Sequence, residues 1–229
     1  MKILRPADAI SRLPVDQRLK VHEIFYSIQG ESTFAGRPCV LVRLTGCQMR
    51  CTWCDTEYAF HEGQWKTRAD ILAEVAAHNC PLVELTGGEP LLQPGAFHLL
   101  RDFCEAGYEV LVETGGGVDI SKVDSRVRRI LDVKCPASGE SEANHWQNLN
   151  HLKATDEVKF VIADREDYLW ANDVVRRHRL VEICPVHYSP VHGSVDLQEL
   201  AGWILHDRLG VRMQLQMHKF VWSPETRGV

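Results

Sequence analysis

Gly46-Cys47-Gln48-Met49-Arg50-Cys51-Thr52-Trp53-Cys54-Asp55-Thr56 is the stretch on which the reading turns. Its three cysteines are spaced C-x3-C-x2-C. Three thiolates on one short loop can hold three irons of a [4Fe–4S] cube. Such clusters usually take four thiolates, so a missing fourth leaves one iron open to a substrate or cofactor. Zinc is the competing metal. A structural zinc site wants four closed ligands, commonly from two paired motifs. Here the second pair is absent, and Cys39 or His61 would have to be conscripted at untypical spacing. Unliganded thiols are the third reading.

The flanks of this loop set the fold class. Short, continuous apolar runs rich in β-branched residues recur at 39–44, 82–85, 109–112, 129–133, 158–162 and 180–184, with a possible seventh at 212–215. Each is bounded by Gly, Pro or polar residues, as buried parallel strands are. Helical stretches lie between them. Thr67 reads as an N-cap with Asp70 three residues on, ahead of an apolar stripe at Ile71, Leu72, Val75 and Ala76. A helix over 97–106 would end at Gly107, Asp164 would cap 168–177, and Ser194 would cap 197–209. Strand and helix alternate, which predicts right-handed βαβ units on a parallel sheet. A closed eight-fold barrel needs about 250 residues. The expectation is therefore an α/β fold, an incomplete, open, partial TIM-type barrel of about six parallel strands. Residues 1–229 would form one domain, with 1–20 as an irregular lead-in. In such folds ligands sit at the carboxyl ends of the strands.

A second motif falls at one of those ends. Thr86-Gly87-Gly88-Glu89-Pro90 follows the 82–85 run. Two glycines let the backbone approach a ligand closely, and the carboxylate can take an ammonium group. A plain Gly-Gly turn between strand and helix is an equal alternative. Glu113-Thr114, Lys134 and His187-Tyr188-Ser189 lie at further strand ends. Cys80, Cys104, Cys135 and Cys184 sit in or beside apolar runs and read as packing residues.

Composition narrows the classes. The net charge of −5, with mixed signs along the chain, gives no basic face for nucleic acid. Residues 1–12 lack an apolar signal core, and no run approaches the ~18 apolar residues of a membrane span. The expected location is the cytoplasm, where eight cysteines are not a disulfide framework.

The C-x3-C-x2-C loop, with an aromatic residue before its last cysteine and Gly87-Gly88-Glu89-Pro90 on the next strand, resembles the radical S-adenosylmethionine (SAM) superfamily. The resemblance implies Cys47, Cys51 and Cys54 as cluster ligands. It also implies that SAM chelates the open iron and yields a deoxyadenosyl radical. Trp53 would have its backbone facing the adenine. Asp55, Gly87, Gly88, Glu89, Thr114, Lys134, His187, Tyr188 and Ser189 would contact SAM.

Four further features resemble the 7-carboxy-7-deazaguanine synthase family: Gln29-Gly30-Glu31, Arg43, Asp55-Thr56 and Leu215-Gln216-Met217-His218-Lys219. That family implies a pterin substrate, 6-carboxy-5,6,7,8-tetrahydropterin. The substrate would be held by Ile28, Gln29, Gly30, Glu31, Arg43, Thr86 and His218, with Mg2+ on Thr56. The C-terminal tail, 219–229, would fold near the substrate mouth with Pro224 at the ligand. An electron donor such as a flavodoxin and a homodimer are also implied. Each residue has a plainer reading. Gln29 and Glu31 could be a solvated turn, Arg43 an ion-pair partner, and His218 a surface group. The rival activities are a glycyl-radical enzyme activating protein and a non-catalytic zinc module.

Overall fold

The computed structural model describes residues 10–229, so positions 1–9 of the expected lead-in lie outside the described residues. Strand β1 (Arg18–Ile28) begins inside that lead-in and runs antiparallel to β2 (Pro38–Leu44). A short strand that the sequence reading missed, β3 (Gln64–Thr67), flanks β1 on its other side. The remaining strands are β4 (Leu82–Gly87), β5 (Glu109–Thr114), β6 (Arg128–Val133), β7 (Glu157–Ile162), β8 (Val186–Pro190) and β9 (Arg212–Met213). The sheet order is β3-β1-β2-β4-β5-β6-β7-β8-β9, parallel from β2 onward. It is an open α/β barrel, with β3 and β9 at its edges among the described residues.

Among the described residues the helices that pack on the sheet or follow it are α1 (Arg68–Ala76), α2 (Pro94–Glu105), α3 (Arg165–Arg177), α4 (Leu197–Asp207) and the single-turn α5 (His218–Val221). Thr67 and Asp70 form a reciprocal capping box at α1, a device that contributes about 1 kcal/mol. The α3 cap is Asp164, which accepts from the Asp167 N–H. The α4 cap is Asp196 and not Ser194, because the Asp196 carboxylate takes both the Gln198 and Glu199 N–H groups. Two apolar runs also departed from expectation. The 180–184 run is a 3-10 turn, and strand β8 starts two residues later at Val186. Arg179 sits at φ 53°, and the Cys184 N–H closes back on the Leu180 carbonyl at 3.1 Å. Leu180 and Cys184 are buried because they plug the core beneath α3. The last run is a strand only over Arg212–Met213.

Strand register divides each run into two stripes. Residues paired across neighbouring strands share a face. One stripe, including Val40, Val42, Val83, Leu85, Val112, Leu131, Phe160 and Tyr188, lies in the apolar core under the helices. The other faces the barrel interior and is polar: Arg43, Thr86 and Glu84 on β2 and β4, Glu113 on β5, Asp132 on β6, Glu157 and Lys159 on β7, His187 on β8. Among the described residues, no helix is long and apolar enough to cross a membrane.

Candidate active site

The cysteine loop leaves the carboxyl end of β2 and is tied down at both ends. Gly46 adopts φ +101°, its carbonyl accepts the Glu89 N–H at 2.8 Å, and its N–H donates to Ala59 at 2.9 Å. Further along, the Thr52 N–H donates to Ser138 at 3.0 Å and the Arg50 N–H to Glu140 at 2.6 Å. Buried Met49 wedges the loop against Gly115 and Gly117. All eight cysteines are free, and Cys47, Cys51 and Cys54 are half-buried. Burial pushes each of these three thiols up, with Lys134 pulling Cys51 back down. Among the described residues, no three His, Cys, Asp or Glu side chains converge on a single-ion position. A structural zinc closes on four protein ligands, and the loop offers three thiols. A cube interposes iron and sulfide between its thiolates and needs only three soft sulfurs on one mouth, which this loop supplies.

The Gly87-Gly88-Glu89 turn packs directly beneath that loop. A Cβ at Gly88 would stand 2.5 Å from the Gly46 carbonyl oxygen and 2.7 Å from the Cys47 Cβ. A Cβ at Gly87 would meet the Leu44 carbonyl at 2.6 Å. Glu89 is buried and accepts from the Leu91 N–H (3.0 Å), the Thr114 hydroxyl (2.8 Å) and the Gly115 N–H (2.8 Å). It brackets the ends of β4 and β5 under the loop. Burial raises its pKa, and those donors oppose the rise.

The barrel interior carries a charge network around Lys159. Its ammonium bonds Glu31 at 2.9 Å, pairs with Glu113, and lies 3.8 Å from Asp132. Lys134 takes the same Asp132 oxygen at 2.8 Å, while the other Asp132 oxygen is buried without a partner. Burial alone would lower Lys159, yet Glu113, Glu31 and Asp132 hold it well above its usual value. Burial would raise Glu31, and Lys159 brings it below the ordinary carboxylate range. Three carboxylates thus face two ammonium groups. The surplus acceptor suits a ligand that brings positive charge, as SAM does through its sulfonium and ammonium.

The Gln29-Gly30-Glu31 turn reaches into this interior. Gln29 is spent on the protein: its amide donates to Glu84 at 2.8 Å and its carbonyl accepts the Glu31 N–H at 2.5 Å. The C-terminal segment zips onto the same turn. Gln216 donates to Glu31 at 3.0 Å, the Met217 N–H donates to the Gly30 carbonyl at 2.9 Å, and Gln214 exchanges two bonds with the Ser32 backbone. A Cβ at Gly30 would lie 2.3 Å from the His218 ring, so only glycine lets that imidazole sit against the turn. Burial lowers the His218 pKa. Lys219 continues upward to Asp55 beside the cysteine loop, at 2.7 Å. A cavity of about 480 Å³ adjoins this segment, lined by Pro190, His192, Leu215, Gln216 and Phe220 among others.

Residues 41–137 match the Radical SAM superfamily. A 7-carboxy-7-deazaguanine synthase from Chlorobaculum tepidum is 48% identical, over 92% of this chain and 97% of its own. One from Koribacter versatilis is 45% identical, over 92% of this chain and 100% of its own. The chain belongs to the 7-carboxy-7-deazaguanine synthase family. The crystal structure of QueE from Escherichia coli, 19% identical, has the same fold, with a TM-score of 0.73 over 88% of this chain and 95% of that one.

Within this family member the remaining positions separate. Arg43 and Thr86 pair on adjacent strands and face the interior. Arg43 bonds Glu23 through Nε at 2.8 Å, as an interior arginine must find a partner. His187 Nε2 lies 2.6 Å from Glu157, which also takes the Thr33 N–H at 2.9 Å, and Ser189 is buried on the same face. Tyr188 is corrected. It points to the opposite face, donates to Asn172 at 2.8 Å and packs on Tyr168, so it is core and not a ligand contact. Trp53 is half-buried on the cysteine loop, and Thr56 donates to Asp55 at 2.8 Å. Ile28 and Trp222 line a cavity of about 270 Å³ on the outer side of β1, and Pro224 is exposed in the following turn. The sequence reading missed Glu84, Asp132, Glu157 and Lys159. The available signal was a lone charge inside an otherwise apolar run, at Glu84 and Asp132, and a pair two residues apart at Glu157 and Lys159.

Glu84 yields a pH prediction. It is 1% exposed, and burial, with Glu113 adding to it, pushes it up to about 8. The native state therefore binds a proton that the unfolded chain, near 4.5, releases. That contribution to stability is complete below the unfolded value and is lost as pH rises to about 8. Glu84→Gln keeps an acceptor for Gln29 and removes the titration. Melting curves between pH 5 and 8.5 should show the variant gaining on the parent by about 3–8 °C with rising pH. A constant difference would disprove the burial argument.

Proposed function

We propose that this chain converts 6-carboxy-5,6,7,8-tetrahydropterin into 7-carboxy-7-deazaguanine and ammonia, by radical ring contraction in deazapurine biosynthesis. The observation that carries the reading is the convergence of four separate stretches on one barrel mouth. The 29–31 turn, Arg43 and Thr86, the cysteine loop with Asp55-Thr56, and the 214–219 segment meet there. The reaction loses one NH3 and needs no net oxidant. The bound cluster and SAM supply one-electron chemistry that takes and returns a substrate hydrogen atom.

The chain's own residues recognise and hold the substrate. Ionised Glu31, kept so by Lys159, faces the aminopyrimidine edge, and Arg43 offers its guanidinium to the substrate carboxylate. Thr86 adds a hydroxyl. His218 walls the Gly30 side. Cys47, Cys51 and Cys54 hold the cluster, while Gly87, Gly88, Glu89, Thr114 and Lys134 shape the SAM side. Thr56 is the protein ligand to Mg2+. The ion takes hard oxygen donors and keeps several waters, and a hydroxyl whose proton is already given to Asp55 has its lone pairs free. Enclosing these groups positions the reacting C–H bond and excludes water.

The reading also includes a cytoplasmic location, a homodimer, and an external reductant such as a flavodoxin. The test is anaerobic turnover of reconstituted protein with SAM, Mg2+, reductant and the pterin, read by mass spectrometry. Product should form without matching loss of SAM. Ending the chain after Lys219 should raise KM for the pterin, since Arg227 stacks on Tyr58 beside Arg43. SAM cleavage with the pterin untouched would point instead to a glycyl-radical activating enzyme.

A further inference from the structure

The C-terminal segment touches two places that the sequence sets far apart. At one end Gln216 and Met217 hold the 29–31 turn. At the other, Lys219 Nζ bonds Asp55 Oδ2 at 2.7 Å, with the lysine side chain only 10% exposed. The second oxygen, Asp55 Oδ1, accepts the Thr56 hydroxyl proton at 2.8 Å. The three residues form a directed chain: ammonium, carboxylate, hydroxyl.

We propose that Lys219 is a positioning residue for the Thr56 hydroxyl, acting through Asp55, and so governs how tightly the protein takes its divalent cation. This rests on Thr56 being the protein ligand to Mg2+. A threonine hydroxyl rotates freely. As a metal ligand it is useful only when its hydrogen points away from the ion and a lone pair points toward it. Asp55 imposes that by taking the hydrogen. Asp55 itself could swing over to the ion, or turn to water, unless its other oxygen is held. Lys219 holds it, and the lysine is anchored in turn by the segment's bonds to the substrate-side turn. Metal affinity and the closure of the C-terminal segment are thereby linked. Outer partners of this kind govern metal affinity by about 10- to 100-fold.

The sign of the effect separates positioning from simple charge. Deleting a nearby cation would tighten cation binding by Coulomb's law. Losing the orientation of Thr56 would weaken it. The experiment uses reconstituted protein with SAM and 6-carboxytetrahydropterin but no reductant, so nothing turns over. Mn2+ is titrated in place of Mg2+, and free Mn2+ is read by electron paramagnetic resonance. Lys219→Met should raise the Mn2+ Kd by about tenfold or more, and Lys219→Arg should stay within about threefold of the parent. Thr56→Val should lose the site. Iron content and melting temperature, unchanged in all three, exclude unfolding. Unchanged or tighter binding in Lys219→Met would overturn the role of Lys219. Parent-like binding in Thr56→Val would overturn the ligand assignment beneath it, a separate failure that the same titration identifies.

Discussion

Replacing Cys51 by alanine should give a colourless protein with iron falling from about four per chain to well below one, and no detectable formation of the deazaguanine. The expectation follows from the absence of a spare ligand. Three thiols lie on the β2 loop, and the other five cysteines lie elsewhere in the fold. Cys135 follows Lys134 directly, and it is fully buried. Burial, with Asp167 and Asp132 adding to it, drives its thiol well above the usual range, so it resists becoming the thiolate an iron requires. Cys39, Cys80 and Cys184 are buried in the core. Cys104→Ala, on the half-exposed flank of α2, is the control and should keep both colour and turnover. A brown, active Cys51→Ala protein would mean that the loop does not hold the cluster.

The motif in that loop was legible because it is local: eleven consecutive residues contain all three candidate ligands. The βαβ alternation was legible for the same reason, since each run and each cap is a short-range pattern. What could not be seen were contacts made by register. Glu84, Asp132 and Lys159 are single charges inside runs that otherwise read as continuous apolar strands, and only the sheet pairing shows that they share one interior face. Register also decides between neighbours. His187 and Tyr188 are adjacent in sequence, but the pleat sends one into the barrel and the other into the helical layer.

The 180–184 run misled for another physical reason. Leu180 and Cys184 are buried in a turn that plugs the core just as they would be in a strand, although Val181 between them is exposed, and apolar content alone does not separate the two. The signals that do so are Arg179 in the left-handed region and Pro185 after the run. The C-terminal segment is the opposite case. Gln214, Gln216 and Lys219 are polar and look like surface, yet each is committed to a partner more than 160 residues away in sequence.

Gly88→Ala should cost more than any other single methyl group in the chain's Gly-Gly-Glu turn. The added carbon would stand 2.5 Å from the Gly46 carbonyl oxygen, which is itself pinned by the Glu89 N–H, and 2.7 Å from the Cys47 Cβ. Neither neighbour is the flexible tip of a side chain, so the cysteine loop must lift as a whole. Overpacking of this kind costs about 1–3 kcal/mol in stability. The larger effect is on chemistry. A displacement near 1 Å of positioned groups lowers turnover by about 100-fold, and here it moves a cluster ligand relative to the SAM-side turn. The expected result is a folded protein with depressed cluster occupancy, weakened SAM binding and kcat/KM reduced by about two orders of magnitude. Gly202→Ala isolates the cause. Gly202 is exposed on α4 with nothing within 4 Å of an added Cβ. That change should leave turnover alone and raise stability by about 0.5–1 kcal/mol through helix propensity. Equal behaviour of the two variants would show that the close contact between the Gly-Gly turn and the cysteine loop is not what aligns cluster and cofactor.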